Sequence, residues 1–454
     1  MSAFRDANLR TGSDRRSVLQ GFGAAALSLA ARPAYAQSAP SSPRVVIVGA
    51  GMAGLAAAHV FERRRVPFVL VEARDRIGGR AYTDSHTLST PFDQGCACLH
   101  TPRINPLAAM AARRGYTVSQ NAARPIVYFG GESESAPRGL KAFDMSYNEL
   151  AHAIAMTGAH GDDIAAADLV NERTVWDRLA AFVLGPQQTG VSLSRLSTLD
   201  WYSQLNANSG REGAVREGLG NMVAAFGAGL PVTLSSPVSR IDWRGAALRV
   251  ETGTGTIETE YCLLTVPVGV LHAGAISFVP ALPPSKQSAI AGIGVGVVNK
   301  IALSFRPGAL PPEKDVSLYQ LRKDGSIAPV LVRPFGADMT LHVTGGDFAR
   351  EVELLSKADQ ITFALSTIGD IYGNDVAAGC VGGAVTRWSR DPFSLGTHSV
   401  ALPGQARQRG ELAKPVAERI WFAGEACAPA WASSLPGAFL SGRAAARAIT
   451  ERLG

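Results

Sequence analysis

The chain has 454 residues, of which 46% are hydrophobic and 18% are charged. This length allows two or three domains, and this composition predicts a buried core and excludes a disordered protein. The formal net charge is +6, but residues 1–36 hold five arginines against two aspartates, so half of the excess is local. Because no Lys or Arg run is interleaved with aromatic residues, we do not expect nucleic-acid binding.

The cysteines are odd in number and scattered, at Cys96, Cys98, Cys262, Cys380 and Cys427. Such a set does not form a disulfide framework. Cys96 and Cys98 followed by His100 have the spacing of half a metal motif. Since no second pair accompanies them, we predict no metal site and expect small buried residues near a ligand.

Arg15-Arg16 stands before a mildly apolar stretch at 21–31 and the small-residue pattern Ala34-Tyr35-Ala36. This segment resembles a twin-arginine export signal, although Val18 and Gln20 replace the usual Phe and Lys. We therefore predict a signal peptide over 1–36, a linker over 37–42, the export machinery as a partner and a periplasmic location. The alternatives are a disordered tail and a membrane anchor.

A strand–loop–helix–strand pattern comes next. The β-branched run 44–48 leads into Gly49-Ala50-Gly51-Met52-Ala53-Gly54, a helical stretch at 55–63, and a second strand at 68–71 that ends at Glu72. This order, with an acid 23 residues after Gly49, is typical of a dinucleotide-binding unit.

Each residue type in this pattern has a physical reason. Gly49 permits the tight turn, Gly51 lets a pyrophosphate approach the backbone, and Gly54 allows close helix–strand packing. The N–H groups that begin the helix favour phosphate. Glu72 can accept hydrogen bonds from ribose hydroxyls and disfavours a 2′-phosphate.

The next residues favour FAD over NAD. Glu72-Ala73-Arg74 continues through residues 75–78 into Gly79-Arg80, which places two glycines beside arginines as a second anion site. This stretch resembles the motif that the flavin-containing amine oxidase family carries after its second strand. The resemblance implies FAD bound through this loop.

The same family resemblance runs along the remaining chain in ordered blocks. They are Asp93-Gln94-Gly95 with His100 and 105–107, the glycine turn 216–222, the strand 237–241 with Val238, the block 265–283, Lys300, Trp388 with 396–399, and 422–442 with Gly424, Glu425 and Trp431. Their order makes chance similarity improbable.

The resemblance implies an α/β fold in which a Rossmann-like FAD-binding domain is interleaved with an α+β substrate domain. The FAD-binding domain is expected over 43–95, 213–280 and 406–454, and the substrate domain over 96–212 and 281–405. From the residues alone, the Ala-, Leu- and acid-rich segment 146–182 has helical spacing.

The implied reaction is amine oxidation, in which the carbon next to nitrogen loses a hydride to flavin N5. The imine then hydrolyses, and O₂ becomes H₂O₂ or an electron carrier accepts the electrons. Lys300 is the first catalytic candidate, as the residue that holds a water at N5, followed by His398 and His100. The cofactor candidates are Gly49, Gly51, Met52, Ala53, Gly54, Glu72, Ala73, Arg74, Gly79, Arg80, Val238, Trp388, Gly424 and Glu425.

The expected substrate pocket departs from the family pattern. His398 and Ser434 occupy the positions of two cage aromatics, and Cys98 replaces a Trp, while Trp431 is expected at the flavin edge. His398 could hydrogen-bond the substrate, act as a base or fill the wall. Covalent members use a Cys where this chain has Thr397, so we predict non-covalent FAD, with Cys427 as a distant alternative for attachment.

The sequence is also compatible with other functions. The enzyme could be a dehydrogenase that uses a cytochrome or quinone, or an amino acid oxidase, which needs an arginine for the carboxylate that the sequence does not assign. The chain could also be a non-catalytic FAD-binding protein. The particular amine is not predicted, and a homodimer is left open.

Overall fold

The computed structural model describes residues 43–88, 90–120, 126–129, 132–134, 137–207, 212–322 and 325–454. The predicted export signal and linker, residues 1–42, lie outside these ranges.

The strands of the described residues are β1 (Val45–Val48), β2 (Phe68–Val71), β3 (Thr83–Asp84), β4 (Phe92–Asp93), β5 (Cys98–His100), β6 (Val118–Gln120), β7 (Ile126–Phe129), β8 (Glu132–Glu134), β9 (Glu212–Val215), β10 (Val232–Thr233), β11 (Val238–Asp242), β12 (Leu248–Thr252), β13 (Gly255–Thr259), β14 (Tyr261–Leu264), β15 (Ser277–Val279), β16 (Ile293–Gly296), β17 (Val298–Phe305), β18 (Val316–Leu321), β19 (Ile327–Val332), β20 (Met339–Gly345), β21 (Cys380–Val385), β22 (His398–Ala401) and β23 (Ile420–Phe422).

The α-helices of the same residues are α1 (Met52–Arg64), α2 (Pro106–Arg113), α3 (Pro137–Ala159), α4 (Val175–Phe182), α5 (Thr198–Ser203), α6 (Leu219–Gly227), α7 (Val268–His272), α8 (Pro284–Gly292), α9 (Gly346–Leu354), α10 (Lys357–Tyr372), α11 (Asn374–Ala377), α12 (Gln408–Ala413) and α13 (Leu435–Leu453). None of these described helices has the length and apolar character that a bilayer crossing requires.

A fully parallel sheet with strand order β10-β2-β1-β14-β23 carries the first predicted motif. Its central strand is entirely Val and Ile because both faces are covered. On one face Ile47 packs with Phe61 of α1 and Ile449 of α13. On the other, Val46 packs with Ile241 of β11. The carboxyl ends of these strands therefore meet at one edge of a rigid layer.

A mixed seven-stranded sheet has the order β21-β17-β20-β19-β18-β7-β8. One of its faces packs on α10, where Ile301 and Leu303 of β17 meet Ile368. Strand β7 joins parallel to β18 although nearly two hundred residues separate them, with Leu318 opposite Ile126. The opposite face of this sheet is left to line a cavity.

The smaller sheets are β13-β12-β11-β15, β16-β22, β3-β4 and β5-β9-β6. The pair β16-β22 brings Gly296 opposite His398. The division into FAD-binding and substrate domains stays a prediction.

The helical spacing predicted over 146–182 is found in the structure, where two α-helices and a 3-10 turn share the segment. Helix α3 ends at Ala159, a 3-10 turn covers Ala166–Leu169, and α4 begins only at Val175. The second start has a local cause, because Thr174 and Asp177 cap each other in a reciprocal capping box. The helical spacing thus continues past Ala159, but the capping box at Thr174 and Asp177 starts a separate helix.

Candidate active site

A cavity of about 1170 Å³ is lined by the carboxyl ends of β1 and β2 and by the free face of the seven-stranded sheet. Drug-sized ligands usually occupy pockets of roughly 300–1,000 Å³. This cavity is therefore large enough for a dinucleotide together with a small substrate.

The turn after β1 is built for a close approach to the backbone. Gly49 has a φ of +103°, and a Cβ on Gly54 would lie 1.9 Å from the Gly49 carbonyl oxygen. A Cβ on Gly51, in contrast, would meet no protein atom within 4 Å. Gly54 thus allows α1 to pack closely against the turn, and the missing side chain of Gly51 leaves open space in the cavity wall.

Helix α1 starts in this wall without a cap. Its N-cap residue is Gly51, no side chain accepts from its first N–H groups, and its first turn holds no acid. Met52 and Ala53 line the cavity. Unpaired N–H groups and the positive end of the helix dipole form an anion site there.

Glu72 is buried at the end of β2 and braces the same turn. Its Oε2 accepts from the Ala50 N–H at 2.8 Å, and its Oε1 accepts from the Arg74 N–H at 2.9 Å. Arg74 turns away to Asp391 and Ser394, with Nη2 at 2.8 and 2.9 Å from their side-chain oxygens. Arg74 therefore lines the cavity with its charge already paired.

The second glycine loop lies against the first. The Gly78 N–H donates to the Ala50 carbonyl at 2.9 Å, and Gly79 has a φ of +59°. Arg80 donates to the Thr397 carbonyl at 2.9 Å and to Glu425 Oε1 at 3.0 Å. This ties the loop after β2 to the strand β22 and to the segment after β23.

These features fit FAD. The open side of Gly51, the uncapped α1 and the carboxylate of Glu72 supply the surroundings that a pyrophosphate and a ribose need. Val238 at the start of β11 and Gly424 border the same space.

A family model described as flavin containing amine oxidoreductase matches residues 52–450. The chain belongs to that family. Polyamine oxidase 4 of Oryza sativa subsp. japonica is 28% identical and is aligned over 93% of this chain and 91% of that protein. Lysine-specific histone demethylase 2 of Homo sapiens is 26% identical over 88% of this chain but only 52% of its own length.

Solved structures agree on the fold. A putrescine oxidase redesigned in its cofactor binding superposes with a TM-score of 0.74 and 19% identity, over 90% of this chain and 98% of that one. At this identity the likeness concerns the fold, which is the mixed α/β fold of an amine oxidase.

The flavin of this family is FAD, and almost all predicted cofactor residues of this chain share the one cavity. Gly49, Gly51, Met52, Ala53, Glu72, Ala73, Arg74, Gly79, Arg80, Val238, Trp388, Gly424 and Glu425 line it. Gly54 does not line the cavity, and it supports the turn indirectly by packing against the Gly49 carbonyl. Their individual roles toward FAD remain predictions.

Lys300 of β17 lines this cavity. Its Nζ donates to the Asp93 carbonyl at 2.9 Å and to the Gly95 carbonyl at 2.5 Å. Burial lowers the pKa of this amine, and the Asp93 carboxylate opposes the shift. Trp388 holds the same turn through its Nε1, which donates to the Gln94 carbonyl at 2.9 Å.

His398 begins β22 and also lines the cavity. Its Nε2 lies 2.7 Å from the Thr189 carbonyl oxygen. Burial lowers the pKa of the imidazole, although the nearby Glu425 carboxylate acts in the other direction. The ring therefore favours its neutral form.

Behind His398 lies a buried charge network that sequence reasoning missed. Arg409 is fully buried and forms a bidentate ion pair with Asp200, with Nε–Oδ1 at 2.5 Å and Nη2–Oδ2 at 2.8 Å. Its Nη1 also donates to Ser399 Oγ, which donates in turn to Glu425 Oε2 at 2.5 Å. No local pattern marks Asp200 or Arg409, so only the fold could reveal the pair.

The remaining substrate-pocket candidates also line the cavity. Cys98 and His100 lie on β5, and Trp431 lies in a 3-10 turn before α13. Ser434 has a second task as N-cap of α13, since its Oγ accepts from the Gly437 N–H and donates to the Trp431 carbonyl. Among the described residues, no group of three or more His, Cys, Asp or Glu side chains could hold a metal.

Proposed function

We propose that this chain oxidises an amine in the cavity with non-covalently bound FAD, giving an imine that hydrolyses to an aldehyde or ketone. The supporting observation is that one continuous cavity joins the glycine cradle of β1 and β2 to Lys300 and His398. The parallel sheet with α1 supports a Rossmann-like assignment for the cradle.

Different residues of the chain are expected to bind the cofactor and to assist the reaction. When bound, FAD would supply the hydride acceptor, and O₂ would take the electrons as H₂O₂. The turn 49–54 and Glu72 would hold the dinucleotide. Lys300 is fixed by two carbonyls and offers its third N–H to a water or to the developing charge. The buried wall keeps the substrate nitrogen desolvated, which favours the neutral amine that gives up hydride.

The pairing of the cavity's arginines favours an amine over an amino acid. Among the described residues that line the cavity, Arg74 pairs with Asp391 and Arg80 pairs with Glu425. An amino acid oxidase is expected to use an arginine for the carboxylate of its substrate, and both of these guanidinium groups are already paired with carboxylates.

Two observations support non-covalent binding. Thr397 stands where covalent members carry Cys, and its Oγ1 is hydrogen-bonded to the Gly296 carbonyl at 2.8 Å. Burial raises the pKa of the Cys427 thiol to about 12, so this sulfur lacks the thiolate that forms bonds to carbon.

The test is anaerobic flavin absorbance during titration with putrescine, spermidine, 2-phenylethylamine, pyrrolidine and a set of amino acids. We expect bleaching by at least one amine and by no amino acid. Flavin that no amine bleaches would contradict the proposal. Fast recovery of colour on admitting air supports an oxidase, whereas slow recovery favours a dehydrogenase with a carrier as acceptor.

For the amino-terminal segment we propose twin-arginine export to the periplasm, supported by Arg15-Arg16 and Ala34-Tyr35-Ala36. The double variant Arg15→Lys with Arg16→Lys should leave the flavoprotein in the cytoplasm, as measured by cell fractionation. Unchanged delivery of this variant would argue against that route.

A further inference from the structure

The two nitrogens of His398 are not equivalent. A carbonyl oxygen can only accept, so the 2.7 Å contact between Nε2 and the Thr189 carbonyl places the hydrogen on Nε2. In the neutral ring, Nδ1 then carries a lone pair and can only accept. The backbone of Thr189 thus selects one tautomer.

The acceptor nitrogen is available from the cavity. His398 lines the cavity wall, and among the described residues no group donates to Nδ1. Since Nδ1 has no partner in the described residues and yet is not among their buried polar atoms without a partner, it keeps some exposure to the cavity.

The backbone that carries the ring is anchored on both sides of His398. Strand pairing fixes His398 opposite Gly296, and Thr397 Oγ1 donates to the Gly296 carbonyl at 2.8 Å. On the following residue, the Ser399 N–H donates to Glu425 Oε1 at 3.2 Å. The bond from Nε2 to the Thr189 carbonyl, on a backbone anchored at both neighbouring residues, fixes the direction in which the ring presents Nδ1.

The charges around the ring leave it neutral. Burial is the largest influence and lowers the pKa of His398. Glu425 opposes this shift, while Arg80 and Arg409 add to it. Because Glu425 is itself paired with Arg80 at 3.0 Å, its attraction for a proton on the imidazole is reduced.

We propose that His398 Nδ1 accepts a hydrogen bond from the N–H of the bound amine and so selects primary and secondary amines over tertiary ones. A neutral tertiary amine has no N–H to donate. This inference rests on the proposed function, and it assigns a hydrogen-bonding role to a position where the resemblance leads one to expect an aromatic cage residue.

Two isosteric variants separate the roles of the two nitrogens. The amide nitrogen of Gln can reach the position of Nε2, so His398→Gln keeps a donor for Thr189 and loses the acceptor. The amide oxygen of Asn can take the position of Nδ1, so His398→Asn keeps the acceptor and loses the Thr189 bond. The matched control is His272→Gln, since His272 also bonds a carbonyl through Nε2, that of Ile290 at 2.6 Å, but does not line the cavity.

The readout is the rate constant of anaerobic flavin reduction divided by the amine Kd, measured on variants that retain flavin and the wild-type unfolding midpoint. We expect His398→Gln to lose about 10- to 100-fold, as for one hydrogen bond to an otherwise unpaired buried group. His398→Asn should lose less, and His272→Gln should match the wild type. A loss in His398→Asn equal to or larger than that in His398→Gln would overturn the proposal.

A methylation series tests the selected class. The most active amine of the panel is compared with its N-methyl and N,N-dimethyl forms. We expect the wild type to disfavour only the tertiary amine and His398→Gln to lose that discrimination. Equal discrimination in both proteins would refute the role of Nδ1 while leaving amine oxidation intact. A wild type that no amine reduces would instead refute the proposed function, and this inference with it.

Discussion

Two lysines of this chain are buried against backbone carbonyls, and their surroundings give them different tasks. Lys300 donates to the Asp93 and Gly95 carbonyls on the cavity wall. Lys286 donates to the Glu411, Leu412 and Lys414 carbonyls at the end of α12, away from the cavity. The chemistry is the same, but only the first amine can meet a ligand.

The first lysine is expected to act on turnover. Lys300→Met removes the cation that is expected to hold a water at flavin N5, so reoxidation of reduced flavin by O₂ should slow by about 10- to 1,000-fold. Stopped-flow mixing of the reduced protein with oxygen measures this step directly. Retention of the wild-type rate would show that Lys300 serves only the 93–95 turn.

The second lysine is expected to act on stability. Lys286→Met leaves three helix-end carbonyls without their charged donor, which should lower the free energy of unfolding by about 2–4 kcal/mol. Denaturant titration measures this loss. Turnover per bound flavin should stay at the wild-type value, so each lysine variant is the control for the other.

At the scale of elements, the junction of β1 and α1 contains two glycines that are needed for different reasons. Gly54 has no room for a side chain because the Gly49 carbonyl lies against it, whereas Gly51 borders empty space in the cavity. One glycine is needed by the fold, and the other is needed by the ligand.

Alanine substitutions should separate these demands. Gly51→Ala is expected to keep the unfolding midpoint of the flavin-free protein but to weaken FAD binding by about 100-fold, because the methyl group occupies space at the phosphate site. Gly54→Ala should destabilise the fold itself. Gly410→Ala in α12, where a Cβ also meets nothing within 4 Å, is the control and should leave FAD affinity unchanged. Fluorescence titration of FAD measures all three, and an unaltered affinity in Gly51→Ala would contradict the expectation.

The features that could be predicted from the sequence are those whose residues are neighbours in the chain. The strand–glycine–helix–strand order over 45–72 could be predicted because each residue type answers a local steric demand. The bonds from His398 to Thr189 and from Arg409 to Asp200 each join residues 209 positions apart. Since neither pair leaves a periodic or spaced pattern, the tautomer of His398 and the buried charge network could not be predicted.

At the scale of the whole molecule, the cavity is lined by two different sheets, so a cofactor bound there should act as part of the core. Removal of FAD should lower the melting temperature, and adding FAD at about 1,000 times its Kd should restore roughly 4 kcal/mol. Calorimetry of the flavin-free protein at increasing FAD concentrations measures this. A melting temperature that does not move with FAD would show that the cavity closes without it.

The walls of the cavity come from both ends of the described chain. Gly51 and Glu72 follow the first two parallel strands, whereas Gly424 and Glu425 follow β23, an edge strand of the same sheet. A growing chain on the ribosome therefore displays the glycine turn long before the opposite wall exists. We therefore expect the cofactor to bind late in biosynthesis. A chain that lacks its last forty residues should bind flavin poorly, even if its first β-α-β unit folds.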